Sequence, residues 1–381
     1  MNIVAPHALK KITEPLFPFS HNYSQSKIQS IEIEFRLLCS SLKELPILPE
    51  QAQDFEQELT RRSIFSTAAI EGNPLQEDEV AEIISSQIGQ KYKEEKKIEI
   101  KNLQKAYKVI TDIATEEKFD LSENFIKKIH QIITDRLCYD SCVPGYYRNH
   151  IVKVGDRQHG GTATPPKCLK DIETLMAEYI AWFNADCIQN LPPIIRAALA
   201  HYHLALIHPF GDGNGRTARL IEAAILRSAG VKYLPTMLSN YYYREIDGYF
   251  TAFSQCSKSK EHDMTPFVQF VLKGAVDSLH EVKGRITSYI RTSALTNYFQ
   301  SLRISGKINA RQQELLALLL QSPTSDSVTI NSIQNELPYR TLYAAVSYQT
   351  ARRDLIKLHE LKVVKTAENT FQLDRNILNA L

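Results

Sequence analysis

The chain has 381 residues, of which 43% are hydrophobic and 23% are charged, and its formal net charge is +2. These values are typical of a folded globular protein and exclude a disordered or membrane-embedded one. A chain of this length exceeds one ordinary core, so we expect two or three domains. The small net charge gives no attraction of the whole molecule to nucleic acid, and any such contact has to be local.

Signals for export and for membrane insertion are missing from the sequence. No apolar run approaches the ~18 residues that a membrane span needs, and the first residues lack the pattern of a secretory signal. Of the six cysteines, only Cys138 and Cys142 are close together, and no second pair of Cys or His completes a zinc site. We therefore predict a cytoplasmic protein with free thiols and no membrane contact.

Helical periodicity dominates the first 140 residues or so. Residues 1–30 contain three prolines and predict an extended arm. Apolar residues at regular helical steps then predict a helix over 28–44 and a second over about 50–71, which Gly72 and Pro74 end. Further helical patterns cover residues 77–90, 97–117 and 122–137.

The pattern changes at residues 144–166. Alternating side chains at 150–154 predict a short strand, and the glycine pair at 160–161 predicts a turn. Helical periodicity then resumes and predicts helices over about 167–184, 192–207, 215–229, 241–256 and 264–280.

The sequence beyond about residue 305 predicts a separate unit. Two short β-like runs, at 361–365 and 370–373, follow helical patterns at 310–321, 330–337 and 347–360. This order is that of a winged helix-turn-helix. We therefore predict such a domain over 300–381, with a linker within 285–308.

The strongest chemical signal lies at residues 208–219, which read His-Pro-Phe-Gly-Asp-Gly-Asn-Gly-Arg-Thr-Ala-Arg. An apolar helix ends before His208, and the loop that begins at Gly211 contains three glycines, which let backbone N–H groups converge. A new helix starts near Gly215 and adds its positive end. The loop is therefore suited to bind phosphate.

The charged side chains of this segment indicate a di- or triphosphate and a metal ion. Arg216 and Arg219 share one helix face, where two guanidinium groups repel each other unless an anion lies between them, so they predict a di- or triphosphate. Asp212 offers a hard oxygen ligand to Mg²⁺, which typically bridges one carboxylate and substrate phosphates. His208 is the natural general base, because a histidine ordinarily titrates near neutrality.

The segment resembles the signature of the Fic family, His-Pro-Phe-x-Asp/Glu-Gly-Asn-Gly-Arg-x-x-Arg, and matches it at every fixed position. The resemblance implies a mainly α protein, with a Fic-type helical core over 111–285 and a short β-hairpin flap. It implies transfer of AMP from ATP, with Mg²⁺, to a Ser, Thr or Tyr hydroxyl of a target protein, self-modification included. His208 would deprotonate the hydroxyl, Asp212 would bind Mg²⁺, and Phe210 would anchor the core.

The same resemblance implies how the nucleotide is held. Gly213, Asn214 and Gly215 would cradle phosphate oxygens, and Arg216 and Arg219 would hold the outer phosphates.

Residues 146–166 fall where the family has its flap, the hairpin that positions the target residue. Residues 147–148 fit that pattern, and Val154 and Gly155 would contribute to the nucleotide site. Tyr249 falls near the position that lines the adenine pocket in the family. An ordinary surface hairpin and a core tyrosine are the alternative interpretations.

Glu71 is predicted at the C-terminus of a helix. Its negative charge there opposes the helix dipole, at a cost of roughly 0.3–1 kcal/mol, and favours a cationic partner. A solvated surface glutamate is the simplest interpretation of such a residue on its own.

The surrounding residues, however, resemble the inhibitory motif of the same family, Ser/Thr-x-x-x-Glu-Gly/Asn, which Thr67, Glu71 and Gly72 match. The resemblance implies the class with an N-terminal inhibitory helix, at about 50–72 within a helical region over 1–110. The implied partner is Arg219, and its capture would leave ATP in a pose unsuited to in-line attack.

The helix predicted at 347–360 leaves two roles open for the C-terminal unit. Its side chains Gln349, Thr350, Arg353 and Lys357 could contact DNA. Acidic residues such as Asp354 dilute the positive field, and docking or dimerisation is the other role.

Three functions are therefore open. The first is an AMP transferase restrained by Glu71, and the second is a DNA-binding regulator, acting through 300–381, whose Fic core senses nucleotide. The third is a Fic enzyme that mainly removes AMP or uses another nucleotide donor. The intact signature favours an active enzyme, with ATP and a target protein as partners, and an exposed helical face could support a homodimer.

Overall fold

The computed structural model describes residues 3–4, 19–85, 94–115, 119–137, 142–155, 158, 164–322 and 327–379. The chain forms two compact units, Met1–Lys283 and Gly284–Leu381. Most of the described residues are helical, as the sequence predicts. None of the described helices has the length and apolar character of a membrane span.

The first unit begins with a short strand pair and a group of helices. Strand β1 (Ile3–Val4) pairs antiparallel with β2 (Phe19–Ser20). The helices that follow are α1 (Gln25–Glu44), α2 (Pro49–Ile70), α3 (Glu77–Ile84) and α4 (Glu94–Thr111). Proline suits the first turn of α2, because the N–H it lacks would have no partner there.

The prediction of an extended arm over residues 1–30 needs correction at its C-terminal end, where the structure has a strand at Phe19–Ser20 and a helix from Gln25. Phe19 is fully buried and packs against the rings of Tyr179 and Trp182, and the helix already begins at Gln25. Apolar burial therefore fixes this end of the arm, while residues 5–18 lie outside the described part of the chain.

The middle of the first unit consists of helices α5 (Glu123–Thr134), α6 (Leu169–Phe183), α7 (Asp186–Gln189), α8 (Pro193–Ile207), α9 (Asn214–Ser228), α10 (Leu238–Arg244) and α11 (Ile246–Lys258), with a 3-10 turn at Leu234–Thr236. Helices α8 and α9 are buried along almost their whole length and pack against each other. The loop that joins them, which carries the 208–213 part of the signature, is therefore fixed at both ends.

Two local predictions in this region need correction. The single helix predicted over 241–256 is two helices, because Glu245 leaves the helical conformation between α10 and α11. Within the predicted strand at 150–154, the structure gives only an isolated bridge at Val154. Most of the predicted turn of that hairpin, at 156–157 and 159–163, lies outside the described residues.

Helix α12 (Thr265–Ile304) is 40 residues long and crosses the boundary between the two units. The predicted helix end near 280 is therefore wrong, because the helix continues to Ile304. Most of the predicted linker within 285–308 is thus helical. Leu295, Phe299 and Leu302 repeat at helical steps near the end of α12 and are buried in the core of the second unit.

The second unit continues with α13 (Ala310–Gln321), α14 (Ile330–Asn335), α15 (Arg340–Tyr343) and α16 (Tyr348–Glu360), the strands β3 (Val364–Ala367) and β4 (Thr370–Leu373), and a 3-10 turn at Ile377–Asn379. The strands form an antiparallel hairpin in which Val364 lies opposite Leu373. Helices α13, α14 and α16 start at the capping residues Asn309, Thr329 and Ser347. A winged helix-turn-helix domain remains a prediction for this unit.

Asp354 does not belong to the exposed acidic residues among which the sequence analysis counted it. Its carboxylate is buried and accepts hydrogen bonds from Arg311 Nε at 2.8 Å, Gln312 Nε2 at 3.0 Å and Tyr343 OH at 3.1 Å. The exposed side of α16 therefore carries less negative charge than its sequence indicates.

Candidate active site

The loop between α8 and α9 carries the signature residues. Its first turn is at His208, whose backbone is left-handed with a φ of 52°. Its last turn is at Gly213, with a φ of 76°, which precedes the first residue of α9. A Cβ at position 213 would lie 3.2 Å from Thr134 Cγ2. The left-handed conformation therefore favours glycine here, and a side chain would also be tightly packed against Thr134. The N-terminus of α9 opens onto the loop, as an anion site requires.

Asn214 closes this loop through its side chain. Its Oδ1 accepts from the Phe210 N–H at 2.9 Å, and its Nδ2 donates to the Phe210 carbonyl at 2.9 Å. Phe210 is fully buried, as a core anchor should be. The Asn214 side chain therefore stabilises the conformation of the loop, and its contact with phosphate remains a prediction.

His208 is half-buried and held in one orientation. Its Nδ1 lies 3.3 Å from the Ala205 carbonyl oxygen, which can only accept, so this contact places the proton on Nδ1 and leaves Nε2 as the acceptor. The pKa of His208 is lowered from 6.5 to about 4, mainly by burial and also by the nearby Arg148, against the Ala205 carbonyl and the Glu71 and Asp212 carboxylates, which raise it. The imidazole is therefore neutral at physiological pH, as a general base must be.

Arg148 fastens the segment 142–155 to the backbone of His208. Its Nε donates to the His208 carbonyl at 2.8 Å, its backbone N–H donates to the Pro209 carbonyl at 2.9 Å, and its Nη1 donates to the His150 carbonyl at 2.6 Å. In the sequence, Arg148 is recognisable only as part of the flap pattern. Its contacts show that it holds the left-handed turn at His208.

His130 is a second supporting residue, and the sequence analysis missed it. Its Nδ1 accepts from the Gly145 N–H at 3.0 Å, so the ring proton is on Nε2, which lies 3.0 Å from the Asp212 carbonyl. Its ring stacks on Phe210 with 3.7 Å between centroids. The only signal in the sequence is a histidine on the buried face of α5, between Ile129 and Ile133.

Arg219 is fully buried and bound by residues of α2. Its Nε donates to Thr67 Oγ1 at 2.7 Å, and its Nη2 donates to Glu71 Oε1 at 2.7 Å. The ion pair that the sequence analysis expected is thus formed in the structure, and Thr67 lies beside it. Its inhibitory role remains a prediction.

Glu71 brings its carboxylate to the first turn of α9. A Cβ at position 215 would overlap Glu71 Oε1, which shows how closely the carboxylate approaches the backbone of Gly215. Burial raises the pKa of Glu71, but Arg219, Arg216 and His208 outweigh this effect, so the pKa lies below its usual value. The carboxylate is therefore ionised at neutral pH and lies in the region where the sequence predicts phosphate.

Gly72 allows Glu71 to take this position. It follows the last turn of α2 with a φ of 80°, its N–H donates to the Ala69 carbonyl at 2.9 Å, and the next N–H, of Asn73, donates to the Ala68 carbonyl at 3.0 Å. These bonds form a Schellman motif, in which glycine is the preferred left-handed residue.

Arg216 binds two carboxylates, one of which was not predicted. Its Nη1 donates to Glu99 Oε1 on α4 at 2.5 Å, and its Nη2 pairs with Asp212. The side chains of Arg216 and Glu99 are 3% and 5% exposed, whereas that of Asp212 is 41% exposed. In the structure Glu99 and Glu71 each supply an anion to one of the two arginines, so the proximity of the arginines does not by itself require a phosphate, and their contact with phosphate remains a prediction.

Tyr249 lies in a buried aromatic cluster under Arg219. Its ring stacks on Tyr242 with 5.1 Å between centroids, and its hydroxyl lies 2.9 Å from His201 Nε2. Burial raises the pKa of Tyr249, and the Arg219 guanidinium is near enough to oppose this rise. Tyr249 thus belongs to the buried aromatic cluster near Arg219, and a contact of Tyr249 with adenine remains a prediction.

The remaining predicted positions, Val154 and Gly155, end the described part of the segment 142–155. Gly155 has a φ of 91°, which favours glycine. Their contribution to a nucleotide site remains a prediction.

A magnesium ion fits Asp212 only together with a substrate. Among the residues that the structure describes, no three His, Cys, Asp or Glu side chains cluster as a metal site. Asp212 offers one partly exposed carboxylate beside the loop that is suited to phosphate. Mg²⁺ is commonly held in this way, by one or two carboxylates, substrate phosphates and water.

Comparison with known proteins agrees with the signature. Residues 120–226 match the model of the Fic/DOC family. The chain is 29% identical over 211 residues to protein adenylyltransferase Fic of Drosophila yakuba, covering 55% of this chain and 39% of that protein. It is 27% identical over 253 residues to the protein of the same name from Drosophila erecta, covering 66% and 46%. The chain thus spans less than half the length of these curated relatives.

Two solved structures share the fold. A Fic family protein from Desulfovibrio desulfuricans G20 superposes with a TM-score of 0.57 at 20% identity, covering 91% of this chain and 95% of that one. Fic-1 from C. elegans superposes with a TM-score of 0.56 at 22% identity, covering 70% and 74%. The chain therefore has a mainly α-helical Fic fold with a small C-terminal β-hairpin.

Proposed function

We propose that this Fic/DOC family protein, a distant homologue of the protein adenylyltransferases, transfers AMP from ATP to a hydroxyl of a target protein, and that Glu71 restrains the transfer. The observation that carries the proposal is the position of the Glu71 carboxylate, which binds Arg219 and lies against the first turn of α9. A phosphate group of the nucleotide would need the same place. His208 is close enough to Glu71 for the carboxylate to raise its pKa, yet it is neutral at physiological pH and can accept a proton.

The transfer can be written from the residues of the chain. His208 Nε2 takes the proton of the target hydroxyl, whose oxygen forms a bond to the α-phosphorus of ATP. The bond from that phosphorus to the bridging oxygen breaks, and pyrophosphate leaves. The N–H groups of the loop, with Arg216 and Arg219, hold the phosphate oxygens. Mg²⁺, held by Asp212 and the phosphates, would neutralise charge on the leaving group.

The restraint follows from competition for one cation. While Glu71 occupies Arg219, the outer phosphates lose a guanidinium, and the carboxylate repels them from the start of α9. ATP can then bind only with its α-phosphate out of line with the attacking oxygen, which prevents reaction. Release of Glu71 restores the site without any change in the loop itself.

The test uses the purified full chain with α-labelled ATP and Mg²⁺, followed by intact-mass analysis. Wild type is compared with Glu71→Gly and His208→Ala, and Glu50→Gly serves as the control on the exposed first turn of the same helix. We expect an AMP adduct that is strongest in Glu71→Gly, absent in His208→Ala, and the same in Glu50→Gly as in wild type. Equal labelling of wild type and Glu71→Gly would contradict the restraint.

The same proteins separate the alternative enzyme reactions. If ATP gives no adduct, the other nucleoside triphosphates are compared as donors. Release of AMP from a protein that already carries it would identify removal as the main activity. In that case Glu71→Gly should lose activity, because the carboxylate would then activate water.

A second candidate function, DNA binding by the second unit, is favoured by the burial of Asp354. With Asp354 paired to Arg311, the exposed side of α16 carries three basic residues, Arg352, Arg353 and Lys357, against the one acidic residue Glu360. We propose that this side meets duplex DNA as a winged helix would. Replacing Arg353 by Glu in the full chain should abolish a salt-dependent gel shift, and an unchanged shift would exclude α16 as the contact.

A further inference from the structure

Arg216 lies between two carboxylates that differ in their access to solvent. Glu99 and the guanidinium are almost fully buried, whereas Asp212 is partly exposed at the loop. Both carboxylates pair with this one buried cation, and Glu99 also lies 3.6 Å from Lys96 Nζ. Of the two carboxylates, only Asp212 is exposed enough to be reached by an incoming metal ion.

Glu99 is itself held in place from the end of α2. Asn73 Nδ2 donates to Glu99 Oε2 at 2.8 Å, and Asn73 Oδ1 accepts from the Leu75 N–H at 3.1 Å. Asn73 takes the position of the Schellman motif that is frequently apolar and packs on the helix. A buried amide in that position needs a polar partner, and Glu99 is the partner that it finds.

We propose that Glu99, anchored by Asn73, is a positioning residue that keeps Arg216 in place and neutralised when Asp212 exchanges Arg216 for the metal ion of the bound nucleotide. Removing a carboxylate partner from a buried guanidinium has a high cost in free energy. Without Glu99, Asp212 would be held by Arg216 and would be a poor ligand. With Glu99 present, Asp212 is released for a cation that prefers hard oxygen.

The inference rests on the proposed function for the nucleotide alone, so its test measures metal binding and not AMP transfer. Mn²⁺, as a probe for Mg²⁺, is titrated into the full chain in the presence of α,β-methylene ATP, which cannot release AMP. Free Mn²⁺ is followed by its paramagnetic resonance signal. All variants carry Glu71→Gly, so that the restraint contributes to none of them.

We expect Glu99→Gln to raise the dissociation constant of Mn²⁺ about tenfold, as is typical of residues that orient a metal ligand. Glu95→Gln is the matched control, four residues earlier and exposed on the same helix, and should leave the constant unchanged. Asp212→Asn should weaken binding at least as much, and adding Glu99→Gln to Asp212→Asn should have no further effect, because both act on one ligand.

Three results would overturn the inference: no Mn²⁺ binding by the Glu71→Gly protein, unchanged affinity in Glu99→Gln, or full additivity of Glu99→Gln with Asp212→Asn. Asn73→Ala is the milder variant in case Glu99→Gln unfolds, and it should shift the constant in the same direction by a smaller factor. If Mn²⁺ behaves as expected and no AMP adduct ever forms, the inference stands and the proposed transferase activity fails.

Discussion

Besides Asp212, two carboxylates from outside the signature pair with its two arginines on α9, and the chain holds these two carboxylates in different ways. Glu71 lies just past the last turn of α2, its side chain is 29% exposed, and it binds Arg219. Glu99 lies within α4, is almost fully buried, and is tied by Asn73 as well as by Arg216.

The difference indicates which partner can leave. A helix end frays at a low cost in free energy, whereas a buried residue within a helix leaves only with a larger rearrangement. Phosphate can also replace an exposed carboxylate directly, because it arrives from the same solvent. We infer that Glu71 is the exchangeable partner and Glu99 the permanent one.

The largest expected effect is that replacing Glu71 raises the rate of AMP labelling, whereas replacing Glu99 lowers it. If the competent state of wild type is populated at about 0.1–10%, Glu71→Gly should raise AMP labelling by about 10- to 1,000-fold. Glu99→Gln should lower labelling at limiting Mg²⁺, because Asp212 stays bound to Arg216. Initial rates of labelling across a Mg²⁺ series measure both effects. An increase in Glu99→Gln would make Glu99 a second restraint and end the distinction.

Rescue of stability by an anion sharpens the same distinction. Glu71→Gly leaves Arg219 open to solvent anions, so pyrophosphate at about 100 times its Kd should stabilise this variant by about 2.7 kcal/mol, and wild type by less. Glu99→Gln should lose about 3 kcal/mol, which pyrophosphate does not restore, because the site around Glu99 is closed. Thermal unfolding with and without pyrophosphate gives both values, and equal rescue of the two variants would contradict the comparison.

The same contrast explains what the sequence could predict. Thr67, Glu71 and Gly72 form a short linear motif, so their partner could be inferred from resemblance. Glu99 stands 117 residues before Arg216 in a charged stretch, Glu-Glu-Lys-Lys-Ile-Glu, where one glutamate looks like any other solvated one. Only the packing of α4 on α9 selects it, and no local pattern records that packing.

The fold was predictable to a similar degree. Helices follow from local periodicity, and most appear within a few residues of their predicted limits. The end of α12 was missed although Leu295, Phe299 and Leu302 keep helical spacing, because a change of domain was taken to require a break in the chain. The ion pair between Arg311 and Asp354 joins residues that are far apart in the sequence, so no local pattern predicts it.

The pH dependence of the reaction tests the state of His208. A group with a pKa of about 4 is about 1% protonated at about pH 6, against about three quarters for a group at 6.5. Labelling by Glu71→Gly should therefore stay level from about pH 8 down to about pH 6 and fall only near pH 4. A decline centred near 6.5 would show that His208 titrates normally.

The restraint itself should not change over that range. The pKa of Glu71 lies below its usual value, so the carboxylate stays ionised above the usual value, and the ion pair is lost only as the pH falls through the lowered one. The ratio of labelling by Glu71→Gly to that by wild type should thus be constant from about pH 6 to about pH 8. A ratio that falls with the pH in this range would show that Glu71 takes up a proton near neutrality.

The smallest expected effect concerns Gly72, which holds the exchangeable carboxylate in place. A Cβ there meets no atom within 4 Å, so Gly72→Ala costs only the left-handed conformation, about 1 kcal/mol. If release of Glu71 relaxes this turn, the cost falls on the restrained state alone, and labelling should rise about fivefold. Asparagine tolerates the left-handed conformation better than alanine, so Gly72→Asn should raise labelling by a smaller factor. Equal labelling by wild type, Gly72→Ala and Gly72→Asn would mean that Glu71 separates from Arg219 by side-chain rotation alone, with the end of α2 intact.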